Sequence, residues 1–402
     1  MSILIGHPTG NPNAHQAALA HFETGRLAAF CVAWMPEPLT LRMLERLPGL
    51  RPFVERVARR RFAALSEAPL VQGRLREWWR LAGRLRCDDN RFDRERNDWL
   101  MRTMCRHGDG AAVTAVHGYE DCALLPFEQA KRQGKACIYD MPIGYYPAWR
   151  ERQVSLRRDY ADWLPARSRP EDGGEALARK RREMELADLV LAPSAFAEDS
   201  IRRFFPDKAI ALTPYGVDLD FWTPPPARPP ADKLRFVFAG QICLRKGIPG
   251  LIEAWRKAEL RDAELELIGP WHLSASAGQA LPPGIVHRPP VDAVRLRERY
   301  RAADVVVMPS FFEGLPLALL EGMACGLPAL ASDVCASPDI VTEACGRVTP
   351  SGDIDALVDA LRWFDARRDA LPVMATAARE QAEYFSWARY RRLVTQTVAP
   401  YV

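Results

Sequence analysis

At 402 residues the chain is two to three times the length of an ordinary domain of about 100–200 residues, so two domains are expected. Hydrophobic residues at 48% and charged residues at 26% exclude a disordered or coiled-coil chain, and every uncharged apolar run falls well short of the roughly 20 residues that span a bilayer. The net charge of +4 is unevenly spread: residues 51–86 hold ten arginines against three glutamates, a charge of +7 that leaves −3 for everything else.

The opening MSILIGHPTG has no basic stretch ahead of its apolar residues and is read as a strand rather than a signal peptide. Short β-branched or apolar runs then alternate with longer helical ones, which argues for parallel sheets built from βαβ units. Strands are predicted at 2–6, 28–33, 112–117, 136–139, 189–192 and 209–212. Helices at 13–24, 124–133 and 176–186 separate them, together with a long Arg-rich helical region from about 40 to 105. Residues 222–230, WTPPPARPP, carry five prolines in nine positions and form a linker. Beyond it, strands are predicted at 235–239, 264–268, 305–308 and 329–331. The fold class is therefore α/β, with two doubly wound parallel-sheet domains. Such domains bind ligands in the loops at the carboxyl ends of their strands. Nine cysteines stand singly, without a Cys-x-x-Cys pair, which fits a reducing cytoplasm and gives no zinc or disulfide framework.

The most informative stretch is DVVVMPSFFEGLPLALLEGMACGLPALASD, residues 304–333. A buried strand leads into a loop, Pro316 stands at the predicted helix start, and Gly326 with Pro328 stops the helix near residue 325. Gly314 lets backbone approach a ligand, and the free N–H groups of the first helical turn make an anion site. Glu313 and Glu321 frame it. The second stretch is FVFAGQICLRKGIPGLIEAW, residues 236–255. There a strand, Gly240, the cations Arg245 and Lys246, and a helix start follow one another as a diphosphate requires. The Asp-x-Asp at 218–220 lies at the domain junction and is read as incidental.

These stretches, with PYGVDLDFW (214–222) and CGRVTPSGDIDALVDAL (345–361), resemble the retaining family 4 glycosyltransferases. The resemblance implies the GT-B fold, two Rossmann-like domains facing a central cleft. It places an acceptor-binding domain at 1–215, with an Arg-rich helical insertion at about 40–105. A nucleotide-sugar-binding domain would follow at 216–384, and a last helix at 385–402 would cross back to the first domain. The motifs VHGYEDCALLPFEQAKRQGKACIYDMPIGYY (116–146) and EMELADLVLAPSAF (183–196) are similar to the acceptor domain of a bacterial subgroup.

On that resemblance, Glu313 binds donor-sugar hydroxyls, and the amides of Gly314, Leu315 and Leu317 lie near the diphosphate. Glu321 holds the ribose and Lys246 neutralises the leaving group. The family commonly has an arginine after Gly240; Gln241 stands there, and Arg245 supplies the second charge. His7, Gly10 and Asn11 are loop contacts to the donor. Asp140 falls near the acceptor or sugar, or else forms an Asx turn before Pro142. No metal and no cofactor beyond the nucleotide sugar are expected. The partners implied are a nucleotide sugar and a carbohydrate or lipid-linked acceptor, with no nucleic acid. Residues 51–86, with Trp78 and Trp79 among their arginines, read either as a contact to an anionic membrane surface or as a solvated helix pair. The setting is cytoplasmic, at the inner face of the membrane, in polysaccharide or glycolipid assembly. Hydrolysis or epimerisation of the nucleotide sugar, and a non-catalytic subunit binding membrane or partner, are the competing functions.

Overall fold

The computed structural model describes residues 1–46, 54, 57–58, 60–77, 91–165, 173–226, 233–279 and 281–402. One sheet is built from β1 (Ser2–His7), β2 (Leu27–Val32), β3 (Leu70–Gln72), β4 (Val113–Tyr119), β5 (Ala136–Asp140), β6 (Leu189–Ala192) and β7 (Ile210–Leu212). Its order is β3-β2-β1-β4-β5-β6-β7. A second sheet, in the order β10-β9-β8-β11-β12-β13, uses β8 (Leu234–Ala239), β9 (Ala263–Ile268), β10 (Ile285–Arg288), β11 (Val305–Met308), β12 (Ala329–Ser332) and β13 (Gly346–Thr349). Every pairing is parallel. Strands covered by helices on both faces must be apolar throughout, and Ile3, Leu4 and Ile5 of β1 and Val305 to Met308 of β11 are fully buried.

The first half supplies α1 (Pro12–Glu23), α2 (Pro38–Glu45), α3 (Arg91–Gly108), α4 (Leu124–Arg132), α5 (Tyr146–Asp159), α6 (Gly174–Leu186) and α7 (Ala195–Arg202). The second supplies α8 (Ile248–Ala258), α9 (Ala275–Gln279), α10 (Ala293–Ala302), α11 (Leu317–Ala324), α12 (Ser337–Ile340), α13 (Ile354–Asp365), α14 (Leu371–Tyr384) and α15 (Trp387–Val398). In each sheet the strand order reverses at one point, between β1 and β4 and between β8 and β11. The crevice at those two points is where a doubly wound sheet holds ligand. α15 packs against α1, with Arg391 donating to Glu23 at 2.9 Å and to Gln16 at 2.7 Å.

The ten strands expected from the sequence are present within one or two residues, and three more stand at the sheet margins. β3 corrects the reading of 40–105 as helical. It is a three-residue edge strand on β2, and so short an element carries almost no periodicity. β10 (IVHR) and β13 (GRVT) are likewise edge strands, with only one apolar residue in two for β10 and one in four for β13. Fifteen of the 36 residues of the basic segment 51–86, with six of its ten arginines and both Trp78 and Trp79, lie outside the described residues. Within the part that is described, Arg60 and Glu77 form an ion pair of 2.6 Å, with Glu77 only 2% exposed. No described helix is long and apolar enough to cross a membrane.

Candidate functional site

The second sheet brings the two sequence motifs together at its switch point. After β8 the chain runs through Gly240 and Gln241 into a tight turn at Leu244–Lys246, and Gly247 then takes φ +70° before α8 begins. A Cβ at Gly247 would overlap the carbonyl of Pro309, so only glycine lets this turn lie against the loop after β11. That contact sets Lys246 Nζ 2.8 Å from Glu313 Oε1. The Arg245 guanidinium bonds the same carboxylate oxygen and donates to the Phe312 carbonyl at 2.9 Å. Glu313 is 9% exposed. Burial alone would raise its carboxyl pKa, but the charges of Lys246 and Arg245 outweigh burial and hold it below the usual range.

α11 begins just beyond. Pro316, which the sequence suggested as the first helical residue, is its N-cap and offers no side-chain acceptor. The N–H groups of Gly314, Leu315 and Leu317 have no acceptor among the described residues, so three free donors lie at the start of a helix, where its dipole favours an anion. Glu321 sits on α11, partly accessible, and its carboxylate has no hydrogen-bond or ion-pair partner among the described residues. Burial pushes it up to about 7. A carboxylate without a counter-cation is suited to accept hydroxyl hydrogens from a neutral ligand group. Gln241 is exposed and makes no side-chain hydrogen bond among the described residues.

The first domain closes on this loop. A Cβ at Gly314 would strike the Pro142 carbonyl after β5. Ser194, ahead of α7, donates to the Gly314 carbonyl at 3.2 Å. The Phe312 ring lies against Gly144, Trp149 and Phe196, with centroids 5.5 Å and 5.2 Å from the last two.

Three predicted contacts of the first domain lie together in the loop from β1 to α1. His7 Nδ1 accepts from the amides of Thr9 at 3.2 Å and Gly10 at 2.9 Å, which leaves the proton on Nε2. Burial first, then His15, Arg96 and Arg60, lower its pKa to about 3, so it is neutral. Asn11 caps α1, its side chain accepting from Ala14 at 2.9 Å. Both side chains thus shape the loop.

Asp140, expected near the acceptor or sugar, ends β5. It is 1% exposed, its oxygens accept from Tyr215 at 3.2 Å and Tyr390 at 3.4 Å, and His117 lies 3.8 Å away. It therefore ties β5 to the segment between the sheets and to α15. The Asx turn also gives way to these longer-range partners. Asp218 forms such a turn instead, accepting from the amides of Asp220 and Phe221.

Sequence reasoning missed Ser194, Tyr215, Tyr390 and Glu183. Glu183 accepts from the amides of Asp121, Ala123 and Leu124 and from the Tyr139 hydroxyl, capping α4 from a distant helix. Ser194 alone had a readable signal, a serine directly before a helix.

Residues 233–364 match the model of the glycosyl transferases group 1. The chain is 30% identical over 296 residues to the O-antigen chain mannosyltransferase B of Escherichia coli, covering 68% of this chain and 76% of that protein. The sucrose-phosphate synthase of Thermosynechococcus elongatus superposes with a TM-score of 0.66 at 18% identity, over all of this chain and 98% of that one. Anabaena HepE in complex with UDP-glucose superposes with a TM-score of 0.63 at 13% identity, over the whole of both chains.

Proposed function

The chain belongs to the glycosyl transferases group 1, and from that premise we propose how its cleft divides the labour of sugar transfer. It is a GT-B glycosyltransferase of bacterial polysaccharide type that moves a sugar from a nucleotide-diphosphate sugar to a hydroxyl acceptor. Lys246 neutralises the leaving diphosphate, with Arg245 as the second cation, and the amides of Gly314, Leu315 and Leu317 receive its oxygens. Glu313 accepts from hydroxyls of the transferred sugar, and Glu321 from the ribose. Gly240 and Gln241 border the donor, as do His7, Gly10 and Asn11 from the opposite domain. The observation that carries this assignment is the pairing of Lys246 with Glu313 beside three amides that have no acceptor among the described residues.

Breaking a glycosyl–phosphate bond puts positive charge on the anomeric carbon and negative charge on the departing phosphate. Fixed cations and amides that meet the second charge lower the barrier, each by about 3 kcal/mol. With Glu313 held ionised by two cations, its role is electrostatic and hydrogen-bonding rather than covalent. The acceptor hydroxyl attacks from the face that the phosphate leaves, the phosphate takes its proton, and configuration is retained. No metal is needed, because the cations already occupy that role. The solved structure of a fold relative with UDP-glucose supports a nucleoside-diphosphate donor, and the mannosyltransferase relative supports a hexose and a glycan acceptor.

The acceptor is lipid-linked, and the basic segment 51–86 holds the enzyme on an anionic membrane at its cytoplasmic face. Co-sedimentation with vesicles should then rise with their content of anionic lipid; indifference to that content contradicts the membrane reading. The transfer reading is tested by incubating the enzyme, in EDTA, with UDP-glucose, GDP-mannose or ADP-glucose and an extract of lipid-linked glycans. One donor should release its nucleoside diphosphate only when the extract is present, with the product keeping the donor's anomeric configuration. Release that ignores the extract points to hydrolysis, and inversion overturns the front-face mechanism.

A further inference from the structure

We infer that Ser194 is a positioning residue for sugar transfer, aiming a donor-phosphate amide of one domain from the helix cap of the other. Ser194 is the N-cap of α7 and is 2% exposed. Its Oγ accepts from the Ala197 amide at 3.2 Å, and its single hydroxyl proton goes to the Gly314 carbonyl, also at 3.2 Å. A hydroxyl has one proton and two lone pairs, so both bonds form at once. The Gly314 carbonyl and the Leu315 N–H belong to one planar trans peptide and point in opposite directions. Fixing the carbonyl therefore fixes the N–H. The Ala336 amide holds the same carbonyl at 2.9 Å from within the second domain, and Ser194 adds the constraint from across the cleft.

A second bond crosses close by. Asp339 Oδ2 accepts from the Ala195 amide at 3.1 Å, a carboxylate of the second domain on the first turn of α7. Gly314 is seated against Pro142, and a larger residue there would hold the domains apart. Contact between the domains and the aim of the Leu315 amide thus depend on the same few atoms. Docking of α7 supplies the second of the two bonds that aim the amide at the diphosphate. This inference rests on the reading that the amides at the start of α11 receive that diphosphate.

Calorimetric binding of UDP, GDP and ADP and of the matching monophosphates separates the two. For the nucleotide that binds the unaltered protein, Ser194→Ala should weaken the diphosphate by roughly fivefold to tenfold, one hydrogen bond's worth, and leave the monophosphate unchanged. Ser194→Gly guards against a folding defect, because glycine at an N-cap costs little helix stability while removing the hydroxyl. It should behave like Ser194→Ala. Ser194→Thr keeps the hydroxyl and should restore diphosphate affinity. Equal weakening of diphosphate and monophosphate, or unchanged diphosphate affinity in a folded variant, overturns the inference and leaves Ser194 a helix cap. Failure of all three diphosphates to bind the unaltered protein removes the donor-site reading itself, and the inference with it.

Discussion

Lys246 and Glu313, from loops after different strands, meet at 2.8 Å in a site where Glu313 is 9% exposed. Arg245 bonds the same carboxylate, so Glu313 is held between two cations. A buried ion pair contributes little net stability against its desolvation cost. Its retention therefore fits a site preset for charge that develops during reaction.

Lys246→Ala should lower kcat by roughly a hundredfold or more, the usual loss when one fixed charge or donor facing a leaving group is removed. Lys246→Arg should recover part of it. A kcat within a few-fold of the unaltered enzyme in Lys246→Ala would assign the leaving-group role elsewhere.

Glu321 gives a signed pH effect. Burial raises its folded pKa to about 7 from an ordinary 4.5. Between those pH values the folded state binds the extra proton, so stability falls as pH rises through the window and the penalty is complete above it. Glu321→Gln should therefore be more stable than the unaltered protein at pH 8, by about 1–2 kcal/mol, and nearly equal at pH 4.5. The same variant should lose affinity for a nucleoside diphosphate. Melting curves at the two pH values check the first effect; a difference that grows toward acid contradicts it.

Gly314→Ala should separate the domains. A methyl there strikes the Pro142 carbonyl, and backbone cannot yield as a flexible side chain does. Transfer should fall by more than roughly tenfold, because a displacement of about 1 Å at a reacting site costs about a hundredfold in rate. Small-angle scattering should show a larger radius of gyration. An unchanged radius with full activity would show that the methyl is accommodated and that this contact does not set the spacing of the domains.

Asp140→Ala should destabilise rather than disable. It strips the acceptor from the buried hydroxyls of Tyr215 and Tyr390, at a cost of roughly 2–4 kcal/mol. Activity per folded molecule should stay within about twofold when unfolding and turnover are measured on the same sample. A loss of turnover at full stability would return Asp140 to the substrate.

The stretches that meet in the candidate site of the second domain were legible because their parts are local: a strand, a glycine, two cations and a helix start occupy one short stretch. Glu313 and Glu321 could be named from the sequence for the same reason. What brings these stretches together was less visible. That Gly247 must be glycine depends on the Pro309 carbonyl, which is far off in the chain. Asp140 was placed near the acceptor or sugar by the family resemblance alone, with an Asx turn before Pro142 as the alternative. Its true partners, Tyr215 and Tyr390, come from the segment between the sheets and from α15, and no spacing encodes them. The marginal strands β3, β10 and β13 escaped because an edge strand of three or four residues is specified by its neighbour more than by its own alternation.

The most direct test of the donor site is a thermal-shift panel of UDP, GDP and ADP on the unaltered protein and on Glu321→Ala. At a hundred times its dissociation constant a bound nucleotide adds about 2.7 kcal/mol of stability. One nucleotide should raise the melting temperature of the unaltered protein and leave that of Glu321→Ala nearly unmoved. No shift with any of the three, or the same shift in both proteins, would contradict the placement of the nucleotide against α11.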